Sequence, residues 1–161
     1  MPAPFLQPVA LPVRVGILGA GFMGSTHARA FAATQHARIG GIWSRQREKA
    51  AALAAETGSV VWDDANALLE SPEIDAVSIT LPTFVHREFA VAALKAGKAV
   101  LLEKPMALTL ADCDAILDAQ QQCGSLLMIA QTLRFWPEYE MAIALAKSES
   151  LGKVQSAIAW R

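Results

Sequence analysis

Val13-Arg14-Val15-Gly16-Ile17-Leu18-Gly19-Ala20-Gly21-Phe22-Met23-Gly24 decides the fold. The first six residues are an apolar, β-branched run that reads as a buried strand, and the next six carry glycines in the pattern G-x-G-x-x-G. A helical pattern follows from Phe22. In that setting the first glycine permits a tight turn and the second lets the backbone approach a phosphate. The third allows close helix–strand packing, while the free N–H groups at the helix start attract the anion. Gly19, Gly21, Phe22, Met23 and Gly24 are therefore candidate contacts to a dinucleotide pyrophosphate. The alternative is a glycine turn kept for packing alone. His27, one turn into the helix, reads as a hydrogen-bonded helix histidine.

Working outward, apolar runs alternate with helical patterns, which signals βαβ units and a doubly wound parallel sheet of the Rossmann type. Strands are predicted near 13–18, 38–43, 59–61, 75–80, 99–102 and 126–130, with helices near 22–34, 46–57, 64–70, 84–96 and 109–122. Gly58 and Gly97 stand where a helix end favours positive φ. Thr109 with Asp112 spells a capping box, and Thr83 after Pro82 is a candidate N-cap. A further helix from Phe135 to Ser148 and a strand from Val154 to Trp160 close the chain. The expected organisation is a flexible tail over 1–12, a nucleotide-binding domain over 13–133, and a helix and strand over 134–161 that open a second, open-sheet α+β domain.

The chain has 161 residues, enough for one domain with a real core, and its 53% hydrophobic and 18% charged content argues against disorder. A net charge of −1 gives no field for nucleic acid or an anionic membrane. No apolar run approaches the roughly 18–20 residues that span a bilayer. Met1-Pro2-Ala3-Pro4 lacks the cationic start of a signal peptide. Cys113 and Cys123 lie ten residues apart in one predicted helix, too far to bond each other, and read as reduced thiols of a cytoplasmic protein.

The second predicted strand ends at Trp43, about 20 residues beyond Gly24, where a site for NAD usually places Asp or Glu on the ribose 2′-hydroxyl. Here the chain reads Ser44-Arg45-Gln46-Arg47. A hydroxyl and a guanidinium bind a 2′-phosphate that a carboxylate would repel, so NADP is favoured over NAD. Arg45 is the stronger candidate. The alternative is a pair of solvated arginines at a helix start.

Downstream, Ala99-Val100-Leu101-Leu102 runs into Glu103-Lys104-Pro105, a charged lysine delivered at a strand end. The end of such a strand is where a doubly wound sheet presents its ligand crevice. The alternative for Lys104 is a solvated lysine. With this motif the chain resembles the Gfo/Idh/MocA family, the glucose–fructose oxidoreductase and inositol dehydrogenase group. The matching elements are the glycine loop with Thr26-His27-Ala28, Leu81-Pro82-Thr83 with His86, Ala96-Gly97-Lys98, Glu103-Lys104-Pro105, Arg134-Phe135-Trp136-Pro137 and Leu151-Gly152-Lys153-Val154. The resemblance implies that Lys104 lies beside the nicotinamide and the substrate hydroxyl. It implies a cis bond before Pro105, with Glu103 on the nicotinamide ribose or holding Lys104. Leu81, Pro82 and Thr83 would pass the adenosine and pyrophosphate side, and His86 would face the cofactor region. The chain departs from the family at Ala130-Gln131-Thr132-Leu133, where many members carry Asn or His-Asn.

These readings lead to an NAD(P)-dependent oxidoreductase moving hydride between a nicotinamide and a sugar, cyclitol or polyol, represented by its cofactor half. The family's second domain supplies further catalytic residues, the substrate pocket and the oligomer interface, and only its opening is expected here. The alternative is a nucleotide-binding module without catalysis, or half of a split enzyme. No metal site is expected. The terminal strand, if unpaired, would favour self-association.

Overall fold

The computed structural model describes residues 11–148, 150, 152–158 and 160; residues 1–10 of the predicted tail lie outside the described residues. The chain divides into two units, one ending at Ala130 and the other beginning at Gln131.

In the first unit, five strands form one parallel sheet in the order β2-β1-β3-β4-β5. They are β1 (Val13–Leu18), β2 (Ala37–Trp43), β3 (Ala76–Ile79), β4 (Ala99–Leu102) and β5 (Leu127–Ile129). The helices are α1 (Phe22–Ala32), α2 (Arg47–Thr57), α3 (Ala65–Glu70), α4 (His86–Lys95) and α5 (Leu110–Cys123). Successive strand side chains point to opposite faces, and β1 is apolar on both. Val15 and Ile17 pack with Ala28 of α1, Ile42 of β2 and Leu53 of α2. Leu18 joins Val77, Ile79 and Leu102 against Leu68, Leu94 and Ile116 from α3, α4 and α5. Two cores, one on each face, make the doubly wound sheet. The chain order reverses between β1 and β3, so the ligand crevice opens at their carboxyl ends.

The opposite end of the sheet is tied down by charge. Arg14 donates from Nε and a terminal nitrogen to Asp75, at 2.9 and 2.6 Å. This guanidinium holds the Asp75 carboxyl below the usual carboxylate range, against an opposing push from burial. The Lys98 ammonium donates to the carbonyls of Ser71 and Ile74 at 2.6 and 2.8 Å, and burial lowers its pKa.

Local chemistry met several expectations and corrected others. Gly58 and Gly97 have φ of 65° and 75° at the ends of α2 and α4. Thr109 caps α5 by accepting from the Asp112 amide. Thr83 caps nothing: it opens a single 3-10 turn, Thr83–Val85, and α4 starts without a side-chain cap. The predicted strand at 59–61 is reduced to one bridge, Ile42 to Val61, because Asp64 caps α3 immediately afterwards and leaves no length for a ladder.

The second unit holds a 3-10 turn, Thr132–Phe135, and α6, Pro137–Lys147. Pro137 sits at the helix start, where its missing N–H costs nothing. The predicted strand from Val154 to Trp160 is not formed among the described residues. A strand exists only as part of a hydrogen-bonded ladder, and among the described residues of this unit no second strand pairs with it.

Candidate dinucleotide site

The glycine loop takes the shape that its spacing demands. Gly19 has φ of 106°, and a Cβ there would stand 2.8 Å from Thr80 Oγ1 and 2.9 Å from the Thr80 carbonyl. A Cβ on Gly24 would collide with the Gly19 carbonyl, so this glycine lets α1 close onto the turn. Gly21 differs: a Cβ there would meet nothing within 4 Å. Packing therefore requires Gly19 and Gly24, whereas at Gly21 the backbone borders open space that a pyrophosphate fits. Thr80, at the end of β3, pins the turn by donating to the Leu18 and Gly19 carbonyls at 3.0 and 3.2 Å.

From this loop a cleft of about 610 Å³ runs to the carboxyl end of β2. Gly19 and Gly21 form one wall, Thr80, Leu81 and Pro82 another, and Ser44, Arg45, Gln46 and Lys49 the far end. Arg47 turns away and pairs with Asp63, leaving Arg45 and Lys49 as the cations on the cleft. A groove of about 650 Å³ between α4 and α5 is slightly larger, but it contains none of the strand-end residues.

The lysine loop follows β4. Lys104 is exposed, and the bond to Pro105 is cis. Glu103 is 6% exposed; its amide donates to the Ile79 carbonyl, and its Oε2 accepts from the Lys104 amide at 3.0 Å. Oε1 lies 3.2 Å from His27 Nε2 and makes no hydrogen bond. His27 Nδ1 stands 2.8 Å from Ser78 Oγ. Burial lowers the His27 pKa, with Glu103 acting in the opposite sense. His86, 1% exposed, places Nδ1 2.9 Å from the Pro105 carbonyl and Nε2 2.8 Å from the Leu81 carbonyl.

Of the residues expected at the site, Gly19, Gly21, Ser44, Arg45, Leu81 and Pro82 line the cleft. Phe22 is exposed at the start of α1, Met23 is half-buried beside it, and Gly24 is buried. Thr83 lies outside the cleft wall and lines the groove by α4. His86 does not open to the cofactor region as expected, since both ring nitrogens face the carbonyls of the two flanking turns. Thr80, Gln46 and Lys49 were missed. Lys49 lies in the first turn of α2 and reaches the same end of the cleft as Arg45, and Thr80 follows β3 at the switch point.

The open cradle at Gly21 and the buried, unpartnered Glu103 oxygen fit a dinucleotide lying along the strand ends. Among the described residues no cluster of His, Cys, Asp or Glu could hold a metal ion, and no helix is long and apolar enough to cross a membrane. Residues 13–131 match the model of an oxidoreductase family with an NAD-binding Rossmann fold. Inositol 2-dehydrogenase 2 of Saccharopolyspora erythraea is 35% identical over 132 residues, covering 80% of this chain and 39% of that protein. UDP-N-acetylglucosamine 3-dehydrogenase of Acidithiobacillus ferrooxidans is 35% identical over 125 residues, 78% of this chain and 39% of that one. A 3-ketoreductase of Actinomadura kijaniata, solved with NADP and TDP-benzene, superposes with a TM-score of 0.79 at 28% identity, covering 85% of this chain and 42% of its own. The chain thus spans about two fifths of the length of these relatives. Family model, relatives and the geometry of the glycine loop agree: the chain belongs to the Gfo/Idh/MocA oxidoreductase family and carries its NAD(P)-binding Rossmann domain.

Proposed function

We propose that this chain binds a nicotinamide dinucleotide along the cleft from Gly21 to Arg45, prefers NADP to NAD, and serves a dehydrogenase acting on a sugar, cyclitol or polyol. The observation that carries the reading is the cleft itself: an open glycine backbone at one end and two cations, Arg45 and Lys49, at the other. The preference rests on those cations and on Ser44, where no carboxylate stands to repel a 2′-phosphate. When bound, the nicotinamide supplies the hydride donor or acceptor. Gly19, Gly21 and the start of α1 hold the pyrophosphate, Leu81 and Pro82 border the adenosine side, and Lys104 presents its ammonium where an alkoxide develops. Relatives bearing inositol and UDP-sugar dehydrogenase names support the substrate class. Free thiols at Cys113 and Cys123 fit a reducing, cytoplasmic setting.

A second reading, nucleotide binding without turnover by this chain alone, is favoured by the histidines. His27 and His86 are committed to buried contacts, and His36 precedes β2 at the far end of the sheet. None is placed to take a substrate proton beside Lys104. Exposed Met141, Ile143 and Leu145 on α6 also favour self-association. Titration of the purified protein with NADPH and NADH, followed by nicotinamide fluorescence, tests the reading. Micromolar binding with NADPH ahead is expected; no binding of either would overturn it, and NADH ahead would overturn the preference.

A further inference from the structure

A line of polar side chains runs beneath the cleft through three elements. Ser78 of β3 is fully buried, His27 of α1 is 9% exposed, and Glu103 at the end of β4 is 6% exposed. Polar groups so deep cost free energy unless paired, so their contacts report their function. The Ser78 hydroxyl lies 2.8 Å from His27 Nδ1, its one side-chain partner among the described residues. On the other side of the ring, Nε2 lies 3.2 Å from Glu103 Oε1, a contact without a hydrogen bond. The other carboxylate oxygen accepts from the Lys104 amide. Helix α1 is therefore in contact with the loop that presents the lysine, and the carboxylate oxygen at that contact remains without a hydrogen bond.

We propose that Ser78 and His27 are positioning residues: through Glu103 they fix the peptide of Lys104 for the nicotinamide half of a bound dinucleotide. The inference rests on the dinucleotide reading above. The adenosine half depends on Gly21, Arg45 and Pro82, none of which touches this line. The two halves of the ligand should therefore respond differently when the line is cut. Glu103 Oε1 is buried without a hydrogen bond, and the His27 ring that stands against it limits how the carboxylate can turn away from the Lys104 amide.

The test uses the whole chain and two probes. ADP occupies only the adenosine and phosphate side, and the tighter-binding of NADPH and NADH occupies both. Both are titrated into wild type and into Ser78→Ala, His27→Gln and Ser78→Thr, with circular dichroism on each. Ser78→Ala and His27→Gln should weaken the dinucleotide about fivefold to tenfold and change ADP less than twofold, the scale of one lost hydrogen bond. Ser78→Thr, which keeps the hydroxyl, should restore dinucleotide affinity. Unchanged dinucleotide binding in folded Ser78→Ala would overturn the proposal and leave the functional reading standing. Equal losses for ADP and dinucleotide would overturn it too, by showing that the line only supports α1. Wild type that binds ADP but no dinucleotide would overturn the functional reading and this proposal together. If His27→Gln does not fold, Ser78→Ala decides.

Discussion

His86 Nδ1 lies 2.9 Å from the carbonyl oxygen of Pro105, so a histidine that opens α4 holds the turn immediately after the cis bond of Lys104. Its Nε2 reaches the Leu81 carbonyl at 2.8 Å, and Leu81 lines the cleft. One buried ring thus spaces the lysine loop from the cleft wall. A phenylalanine would fill the same volume but leave the carbonyl served by the imidazole N–H without its donor. His86→Phe should destabilise the fold by about 1–3 kcal/mol. It should also weaken dinucleotide binding. Urea unfolding and a cofactor titration check both, and unaltered values for each would remove His86 from the site's support.

The adenosine end makes a second prediction. Arg45→Ala should lose about 1.5–3 kcal/mol of NADPH affinity, the range for bonds to a charged group, and leave NADH nearly unchanged. Lys49→Ala should act in the same direction with a smaller loss. Arg47→Ala should do neither, because Asp63 already holds that guanidinium. Parallel titrations decide, and equal losses for both cofactors would count against a 2′-phosphate contact.

The glycines separate packing from binding. Gly21→Val should fold and bind no dinucleotide, since its side chain enters open space that the pyrophosphate needs. Gly24→Val should fail to fold, because its side chain drives into the Gly19 carbonyl. Circular dichroism beside a fluorescence titration distinguishes the two outcomes.

Stability should depend on pH in two windows. His27 has a lowered pKa, so the unfolded chain takes up a proton near the ordinary value of about 6.5 before the folded protein does. Its contribution is complete above that value and is lost as pH falls below it. Asp75 is also shifted down, held by Arg14, so its contribution is lost only as pH falls below the ordinary carboxylate range. Denaturation midpoints between about pH 7 and pH 2 should therefore fall in two steps. His27→Gln should flatten the upper one, and a persistent upper step in that variant would assign it elsewhere.

Turnover by this chain alone is expected to be negligible. Lys104 is exposed on its loop, and no histidine stands beside it as a proton acceptor. Catalysis needs cofactor, substrate and base held together, and the cleft provides for the first. NADPH formation across a panel of sugars and cyclitols is the measurement, and robust turnover by a monomer on size-exclusion chromatography would refute the expectation.

Much of this was legible from local pattern. Val13 to Leu18 followed by Gly19, Gly21 and Gly24 determined a strand, a turn and a helix, because φ freedom and close approach act within a few residues. Ser44 and Arg45, singled out by their distance from Gly24, line the far end of the cleft, and Leu102 runs directly into the loop that carries Lys104. Val154 to Trp160 misled for the complementary reason: apolar alternation describes a strand's faces, but hydrogen-bonding partners must come from elsewhere in space. Val60 and Val61 failed likewise, cut short by the Asp64 cap. Only the tertiary structure decided the roles of the histidines. His27 and His86 looked like a helix residue and a cofactor residue. Folding brought Ser78, 51 positions away, against the first, and the Pro105 carbonyl, 19 positions away, against the second. Contacts between residues so far apart in the chain leave no spacing to read, because strand order and helix packing, not local periodicity, set which side chains meet.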